Sequence, residues 1–375
     1  MIYLDYSANT PVDARVLEQF CAVERRCIGN ANSHHQAGSA AKAEIDAATI
    51  KIASLLGVQP AEIIYTSGAS EANNFALKGL ARLSRHAGRH IISTPLEHSS
   101  VSGTLTALQK QGYEIDLLDV KQDGTVDLEH LKDLLRPDTI CVAITLVDSE
   151  LGVVQPVQEI AAILKAYPHC HLHVDATQAV GKIPVSFEGV DTMSLTAHKF
   201  YGLNGIGLLI KRRNLALEPL IHGGESTTIY RSGTPTVALA SSLACALDLA
   251  VIDLPNRVDH VAKLNAELRA ALSTYPLVRI NSPDHAIPHV LNLSVRNVKG
   301  TVFQRELDAK GVCVSVKSAC SSDGLPSRAV FAVSRDRRNA LSSWRISLSH
   351  LTTEDEIKAF LQAFDVCYRE LTAVH

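Results

Sequence analysis

The chain has 375 residues, a formal net charge of -3 at pH 7 and an apolar fraction of 46%. A chain of this length predicts about two domains, and its near-neutral charge argues against nucleic acid or an anionic membrane as a direct partner. The longest apolar runs, such as residues 140–147, are too short to span a bilayer. The first residues lack both a basic start and an apolar signal core, so we expect a cytoplasmic protein.

Short apolar runs alternate with helix-like segments between about residues 60 and 210. Segments 70–86 and 157–167 have a helical period and are long enough for crossover connections. This alternation predicts an α/β domain with a mostly parallel, doubly wound sheet. The runs predicted as strands are EIIYTS, RHIISTP, ICVAITLV, HLHVDA, DTMSLTA and GIGLLIK.

The pattern changes after about residue 250. A predicted helix covers 257–275, strands are expected near HVLNLSV and VCVSV, and a last helix lies near 354–370. These elements predict a smaller α+β domain. We therefore expect residues 15–250 to form the large domain, and residues 1–14 together with 251–375 to form the small one.

The eight cysteines are spread along the chain without a Cys-x-x-Cys pair. This spacing favours free thiols in a reducing compartment over a disulfide framework or a zinc knuckle. Cys320 lies in SVKSACSSDGLPS, whose small polar residues are typical of an exposed loop. An unpaired cysteine usually packs in a core, so Cys320 is exposed either by accident or as a reagent.

Ligands of open α/β sheets bind at the carboxyl ends of the strands. The first predicted strand ends in residues 67–70 just before a helix, which is either an ordinary helix cap or a phosphate cradle. Asp175 and Lys199 follow two other strands. A lysine with a pKa lowered by burial and an aspartate facing a pyridine nitrogen are what pyridoxal phosphate needs. In the alternative interpretation Lys199 extends to solvent and Asp175 caps a helix.

Several histidines also lie in or after predicted strands. His98 follows a strand and could stack on a cofactor ring, although a lone histidine is more often structural. His171 and His173 share a strand face, but the strand offers no obvious third ligand and Cys170 points to the other face. We therefore predict no metal site. The glycines of YGLNGIG precede a strand, unlike those of a dinucleotide-binding motif.

Together these stretches resemble the cysteine desulfurase family, fold-type I pyridoxal phosphate enzymes of the class V aminotransferase group. The resemblance extends over nearly the whole chain, in the family's order. It runs from YLDYSANTPVD through TSGASEANN, EH, GVVQP, HVDATQAVGK, HKFYG, RSGT and SAC to SWRISLSHLTTEDEI. It implies pyridoxal 5'-phosphate as cofactor, L-cysteine as substrate, a homodimer and a sulfur-acceptor protein as partner.

The resemblance also implies roles for individual residues. Lys199 would bind the cofactor covalently, Asp175 would pair with its ring nitrogen, and His98 would stack on its ring. Gln178 would address the phenolic oxygen, and Arg345 would clamp the substrate carboxylate with a bidentate pair. The other implied cofactor contacts are Ala69, Ser70, Ser149, Thr196, His198 and, from the neighbouring subunit, Thr234.

The implied reaction converts L-cysteine to L-alanine and leaves a persulfide on Cys320 for transfer to the acceptor. Cys320, Lys199 and His98 would be the catalytic residues. The exposed loop would then serve the chemistry, because the thiol has to reach both substrate and acceptor.

Four positions depart from the family pattern. Ser149 stands where an asparagine is usual, Lys317 replaces the glycine before SAC, residues 225–230 read ESTTIY, and His350 ends SLSH in place of SLGR. Lys317 could stiffen the loop or lower the pKa of the nearby thiol. Four pathways remain as alternatives for the sulfur acceptor: iron–sulfur assembly, tRNA thiolation, DNA modification and secondary metabolism.

Other functions remain compatible with the same fold. The enzymatic alternatives are a selenocysteine lyase, another C–S lyase such as a cystine lyase, and an aminotransferase or decarboxylase-like enzyme, none of which would use Cys320. The non-enzymatic alternative is a catalytically weak sulfur-relay or scaffold homologue.

Overall fold

The structure, a computed structural model, describes residues 1–317 and 325–373. Its largest sheet has seven strands in the order β2-β8-β7-β6-β5-β3-β4. These strands are β2 (Ile63–Thr66), β3 (His90–Ser93), β4 (Glu114–Leu117), β5 (Thr139–Thr145), β6 (His171–Asp175), β7 (Thr192–Thr196) and β8 (Gly207–Lys211).

The sheet is parallel except at β8, which runs antiparallel to both of its neighbours. The prediction of a mostly parallel sheet is confirmed. The reversal follows from chain length, because only residues 197–206 join β7 to β8 and a parallel crossover needs a dozen or more residues. Strands β5 to β8 are buried along nearly their whole length, which explains the continuous apolar runs of β5 and β8.

Helices cover both faces of this sheet. One face packs against α3 and α4, and the other against α6 and α7. The helices that precede and surround the sheet are α1 (Ala14–Arg26), α2 (Gln36–Leu56), α3 (Ala69–Ser84), α4 (Ser99–Gln109), α5 (Leu128–Leu134), α6 (Val157–Leu164) and α7 (Val237–Ile252).

A second apolar core lies in the C-terminal part of the chain. Its centre contains Trp344 and Phe303, whose rings stack with centroids 5.2 Å apart. The remaining elements, all of them outside the large sheet and its helices, are β1 (Ile2–Tyr3), α8 (Leu254–Leu272), β9 (Val278–Ile280), β10 (Val290–Val295), α9 (Gly300–Ala309), β11 (Val312–Cys313), α10 (Arg328–Ser334), α11 (Arg337–Ser342), β12 (Ser343–Ser347) and α12 (Glu354–Thr372).

The N-terminal segment joins this second core. Strand β1 pairs with β11, and Leu4 packs among the apolar residues of α8, α9 and α12. This packing supports our proposal that residues 1–14 and 251–375 form the small domain and residues 15–250 the large one. Limited proteolysis between α7 and α8 tests the division, because cleavage there should leave two protected fragments, whereas protection of that junction would contradict it.

No single helix in residues 1–317 and 325–373 is long and apolar enough to cross a membrane. Only the bent pair α7 and α8, with 66° between its helices, reaches the required length and composition jointly. Every cysteine within the described ranges is free of disulfide bonds.

Candidate active site

A cavity of about 320 Å³ opens at the carboxyl ends of β2, β5, β6 and β7. Thr234 lies outside it and lines a neighbouring cavity that also contains Ser67. Cys320 lies outside the described residues. The predicted site residues that line the first cavity are Ala69, Ser70, His98, Ser149, Asp175, Gln178, Thr196, His198, Lys199 and Arg345.

The N-terminus of α3 forms one wall of the cavity. The chain turns sharply at Gly68, with φ +154°, and α3 begins at Ala69. A Cβ on Gly207 would come within 2.7 Å of the Gly68 Cα, so the glycine in β8 allows this close approach. Glu71 accepts a hydrogen bond from the Ser67 backbone N–H at 2.8 Å and fixes the turn. The first amides of α3 therefore face the cavity as donors for an anion.

Thr196 and His198 stand beside this helix end. The hydroxyl of Thr196 lies 3.1 Å from Nδ1 of His198. Burial, reinforced by the charge of Lys199, lowers the pKa of His198 to about 4. His198 is therefore neutral at physiological pH. Thr196 and His198 provide the cavity with hydrogen-bonding groups but no positive charge.

Lys199 ends a short 3-10 turn, Ala197–Lys199, that follows β7. Its Nζ donates to the carbonyl oxygens of Ser7 at 2.8 Å and Ala8 at 2.6 Å. The side chain thus points into the cavity and not out along the surface. Ser7 and Ala8 were not among the predicted site residues, although both lie within YLDYSANTPVD.

Asp175 ends β6 and is held by two donors. Its Oδ2 accepts from Nδ2 of Asn73 at 2.8 Å, and its Oδ1 accepts from the Thr177 backbone N–H at 2.9 Å. Asn73 is oriented in turn by His173, whose Nε2 lies 3.0 Å from the Asn73 Oδ1. This network presents the carboxylate to the cavity in a fixed orientation.

His173 is neutral within this network. Complete burial lowers its pKa to about 4. With Nδ1 accepting from the hydroxyl of Thr192 at 2.9 Å, Nε2 keeps its proton and donates to Asn73. One of the two histidines considered above for metal binding therefore acts as a hydrogen-bonding support for Asp175. Asn73 was not among the predicted site residues, because it lies within α3 and not at the end of a strand.

His98 and Arg345 reach the cavity from other elements. Nδ1 of His98 accepts from the Ser100 backbone N–H at 3.2 Å and caps α4, and burial lowers its pKa. Arg345 in β12 is 1% exposed. Its guanidinium donates to Asp5 at 2.9 Å and to the Ser149 carbonyl at 2.7 Å. Ser149 therefore contributes a main-chain acceptor at the position where the family usually has asparagine.

Glu97, next to His98, makes stability depend on pH. Burial raises its pKa from 4.5 to about 8, so it is protonated in the folded chain at pH 7 and ionised in the unfolded chain. The stability it contributes is complete below pH 4.5 and is lost as pH rises towards 8. Glutamine does not titrate. As pH rises from about 5 to about 8, we therefore expect the unfolding free energy of Glu97→Gln to increase by roughly 3 kcal/mol relative to that of wild type.

Urea unfolding of the cofactor-free chain at several pH values measures this difference. The comparison uses the change with pH, so any constant cost of the substitution cancels. A difference between variant and wild type that stays constant with pH would contradict the assignment.

Comparisons with known proteins show the family of the chain. The family model for class V aminotransferases matches residues 2–360. The chain is 40% identical to a cysteine desulfurase IscS of Proteus mirabilis, an alignment that covers 95% of this chain and 90% of that protein. A solved NifS-like protein superposes with a TM-score of 0.92 at 36% identity and covers 99% of both chains.

A second solved structure, described as SspA in complex with cysteine, has a TM-score of 0.83 at 30% identity and covers 94% of this chain and all of that one. These matches extend over nearly the whole chain, and the family model covers every residue that lines the cavity. The chain belongs to the class V aminotransferase family and, within it, to the cysteine desulfurases.

Proposed function

We propose that this protein is a pyridoxal phosphate-dependent enzyme that removes sulfur from L-cysteine, releases L-alanine and carries the sulfur as a persulfide on Cys320. The main support for this proposal is that Lys199, Asp175 and the N-terminus of α3 line the same cavity. An amine, a carboxylate and an anion cradle are the three groups that this cofactor requires of a protein.

The residues present fit the cofactor. The first amides of α3 and the Ser70 hydroxyl supply neutral donors for a phosphate group, and the hydrogen-bonded pair of Thr196 and His198 would supply one more. Asp175, oriented by Asn73, would hold a protonated ring nitrogen. His98 would stack on the cofactor ring, and Gln178 would contact the phenolic oxygen of the cofactor.

When bound, pyridoxal phosphate supplies an electron sink for the carbon skeleton of an amino acid. Arg345 would bind the substrate carboxylate, since its guanidinium is buried, lines the cavity and has an Nε that bonds to none of the described residues. Lys199 would leave the carbonyls of Ser7 and Ala8 and remove the α proton of the substrate. The Cys320 thiolate would then bond to the substrate sulfur as the Cβ–S bond breaks, and the protonated remainder leaves as alanine.

The described chain on either side of residues 318–324 supports a role for Cys320. Nζ of Lys317 donates to the Leu325 carbonyl at 3.0 Å. Both residues line a cavity of about 330 Å³ that shares His98 and Ser149 with the active-site cavity. The segment that contains Cys320 therefore begins and ends beside the proposed site of reaction.

We also propose a homodimer that shares its active sites. Thr234 lines a cavity next to Ser67, outside the active-site cavity of its own chain. A neighbouring subunit would bring Thr234 to the phosphate cradle. Heterodimers of Lys199→Ala and Thr234→Ala chains test this arrangement.

The proposed partners are L-cysteine and a sulfur-acceptor protein. The proposed compartment is the cytoplasm, because the cysteines in the described part of the chain form no disulfide bonds. Cell fractionation tests the compartment, since recovery in an organelle or an oxidising compartment would contradict it.

Product analysis tests the proposed reaction. With L-cysteine and a thiol reductant, the cofactor-loaded enzyme should form alanine and sulfide in equal amounts. Pyruvate with ammonia would instead indicate elimination by a C–S lyase. Absence of turnover in a protein that binds the cofactor would favour the sulfur-relay alternative.

A further inference from the structure

Lys182 is a buried lysine beside the active site for which the proposed reaction gives no role. It is 5% exposed, and burial, followed by the charges of Lys199 and Arg345, lowers its pKa to about 7. Lysine is rarely buried so completely, because removing its ammonium group from water is costly. Its position therefore requires a structural or functional reason.

The local chain folds Lys182 back towards the active site. Successive turns after β6 place it four residues beyond Gln178, and Gly181 between them has φ +75°. At this glycine a Cβ would lie 3.0 Å from the Cβ of Phe200. A side chain at this position would therefore be both strained and crowded.

Lys182 and the N-terminal segment together fix the amide of Gln178. Nζ of Lys182 donates to the Gln178 Oε1 at 2.5 Å, and the Gln178 Nε2 donates to the Ser7 carbonyl at 2.9 Å. A main-chain carbonyl only accepts, so Nε2 must face Ser7 and the oxygen must face Lys182. The second hydrogen of Nε2 is then the donor that the amide retains, and Gln178 lines the cavity.

We propose that Lys182 is a positioning residue that locks the Gln178 amide so that it presents an N–H, and never its oxygen, to an anionic oxygen of the bound cofactor. The inference rests on the proposed function. Without Lys182 the amide could rotate about its last torsion and turn its oxygen towards that anionic group. The cofactor would then lose a donor and face a second acceptor.

A second buried lysine, which lies in the sheet, provides a matched control. Lys211 at the end of β8 is 1% exposed. Its Nζ donates to three main-chain carbonyls, those of Arg212 at 3.1 Å, Arg213 at 3.4 Å and Leu215 at 2.8 Å. Lys211 contacts no residue of the active-site cavity through these bonds, so its removal reports the general cost of losing a buried lysine.

The test compares Lys182→Met, Gln178→Ala, the double variant and Lys211→Met. The melting temperature of each cofactor-free chain first shows that it folds. The dissociation constant of pyridoxal phosphate and the pH midpoint of its visible absorbance are then measured. We expect Lys182→Met to weaken cofactor binding about tenfold. The absorbance midpoint should move to higher pH, because the anionic oxygen has lost a hydrogen-bond donor that favours its charged form.

The double-variant cycle separates the mechanism from a general loss of stability. Once Gln178 is alanine, Lys182→Met should change the dissociation constant by less than about twofold. A full tenfold effect in that background, or an equal effect from Lys211→Met, would overturn the inference. If wild type itself bound no cofactor, the proposed function would fail first, and that result is distinct from an additive cycle in a protein that does bind it.

Discussion

The Lys199→Ala protein is expected to lose the borohydride-reducible link to the cofactor and about 10²- to 10⁴-fold of its cysteine-dependent alanine formation. The substitution removes the amine that would bind the cofactor covalently and the group that would remove the α proton, and positioned proton transfer alone contributes a factor of this size. Borohydride reduction followed by peptide mapping measures the link, which should be present on Lys199 in wild type.

Mixing variants provides both a control and the test of the dimer. In a heterodimer of Lys199→Ala and Thr234→Ala chains, one site lacks both groups and the other is intact if the sites are shared. Activity should return to about half of wild type per dimer. If proven heterodimers recovered no activity, the active sites would not be shared between subunits. A wild-type protein that is colourless and cannot be reconstituted with pyridoxal phosphate would contradict the role assigned to Lys199.

The second large effect is expected at Cys320. Cys320→Ala should bind pyridoxal phosphate and L-cysteine with unchanged spectra, because none of the contacts described for the cavity depends on this residue. It should nevertheless lose sulfur transfer to a thiol acceptor, since no other thiol would receive the substrate sulfur. Absorbance titration and an acceptor assay measure the two properties separately.

Cys313→Ala is the matched control for Cys320→Ala. Cys313 lies in β11, pairs with Tyr3, and has a pKa raised by burial. Its loss should cost about 1 kcal/mol of stability and leave sulfur transfer unchanged. Transfer at the wild-type rate by Cys320→Ala would refute the proposed mechanism and favour the lyase alternative.

The sequence predicted the sheet well because short apolar runs, separated by helix-like segments, mark most of its strands. It did not predict the reversed direction of β8, which depends on the length of a single connection. Helix α7 was not predicted, because it is apolar around most of its circumference and lacks a helical period. Strand β4 was also not predicted, because this edge strand of four residues is only partly buried.

The site was predictable where function lies at strand ends. The residues at the ends of β6 and β7 gave a signal, whereas Asn73 in α3 and Lys182 in a turn act through contacts with other site residues. The carbonyls of Ser7 and Ala8 carry no residue-type signal, because every residue has one. Such supporting groups become visible only when the fold brings distant segments together.

The most direct test of this account is the mass of the peptide that contains Cys320 after a brief exposure of the cofactor-loaded enzyme to L-cysteine without a reductant. We predict one added sulfur atom on that peptide for each alanine released in the first turnover. An added sulfur on another cysteine, or alanine released with the Cys320 peptide unmodified, would contradict the proposed transfer.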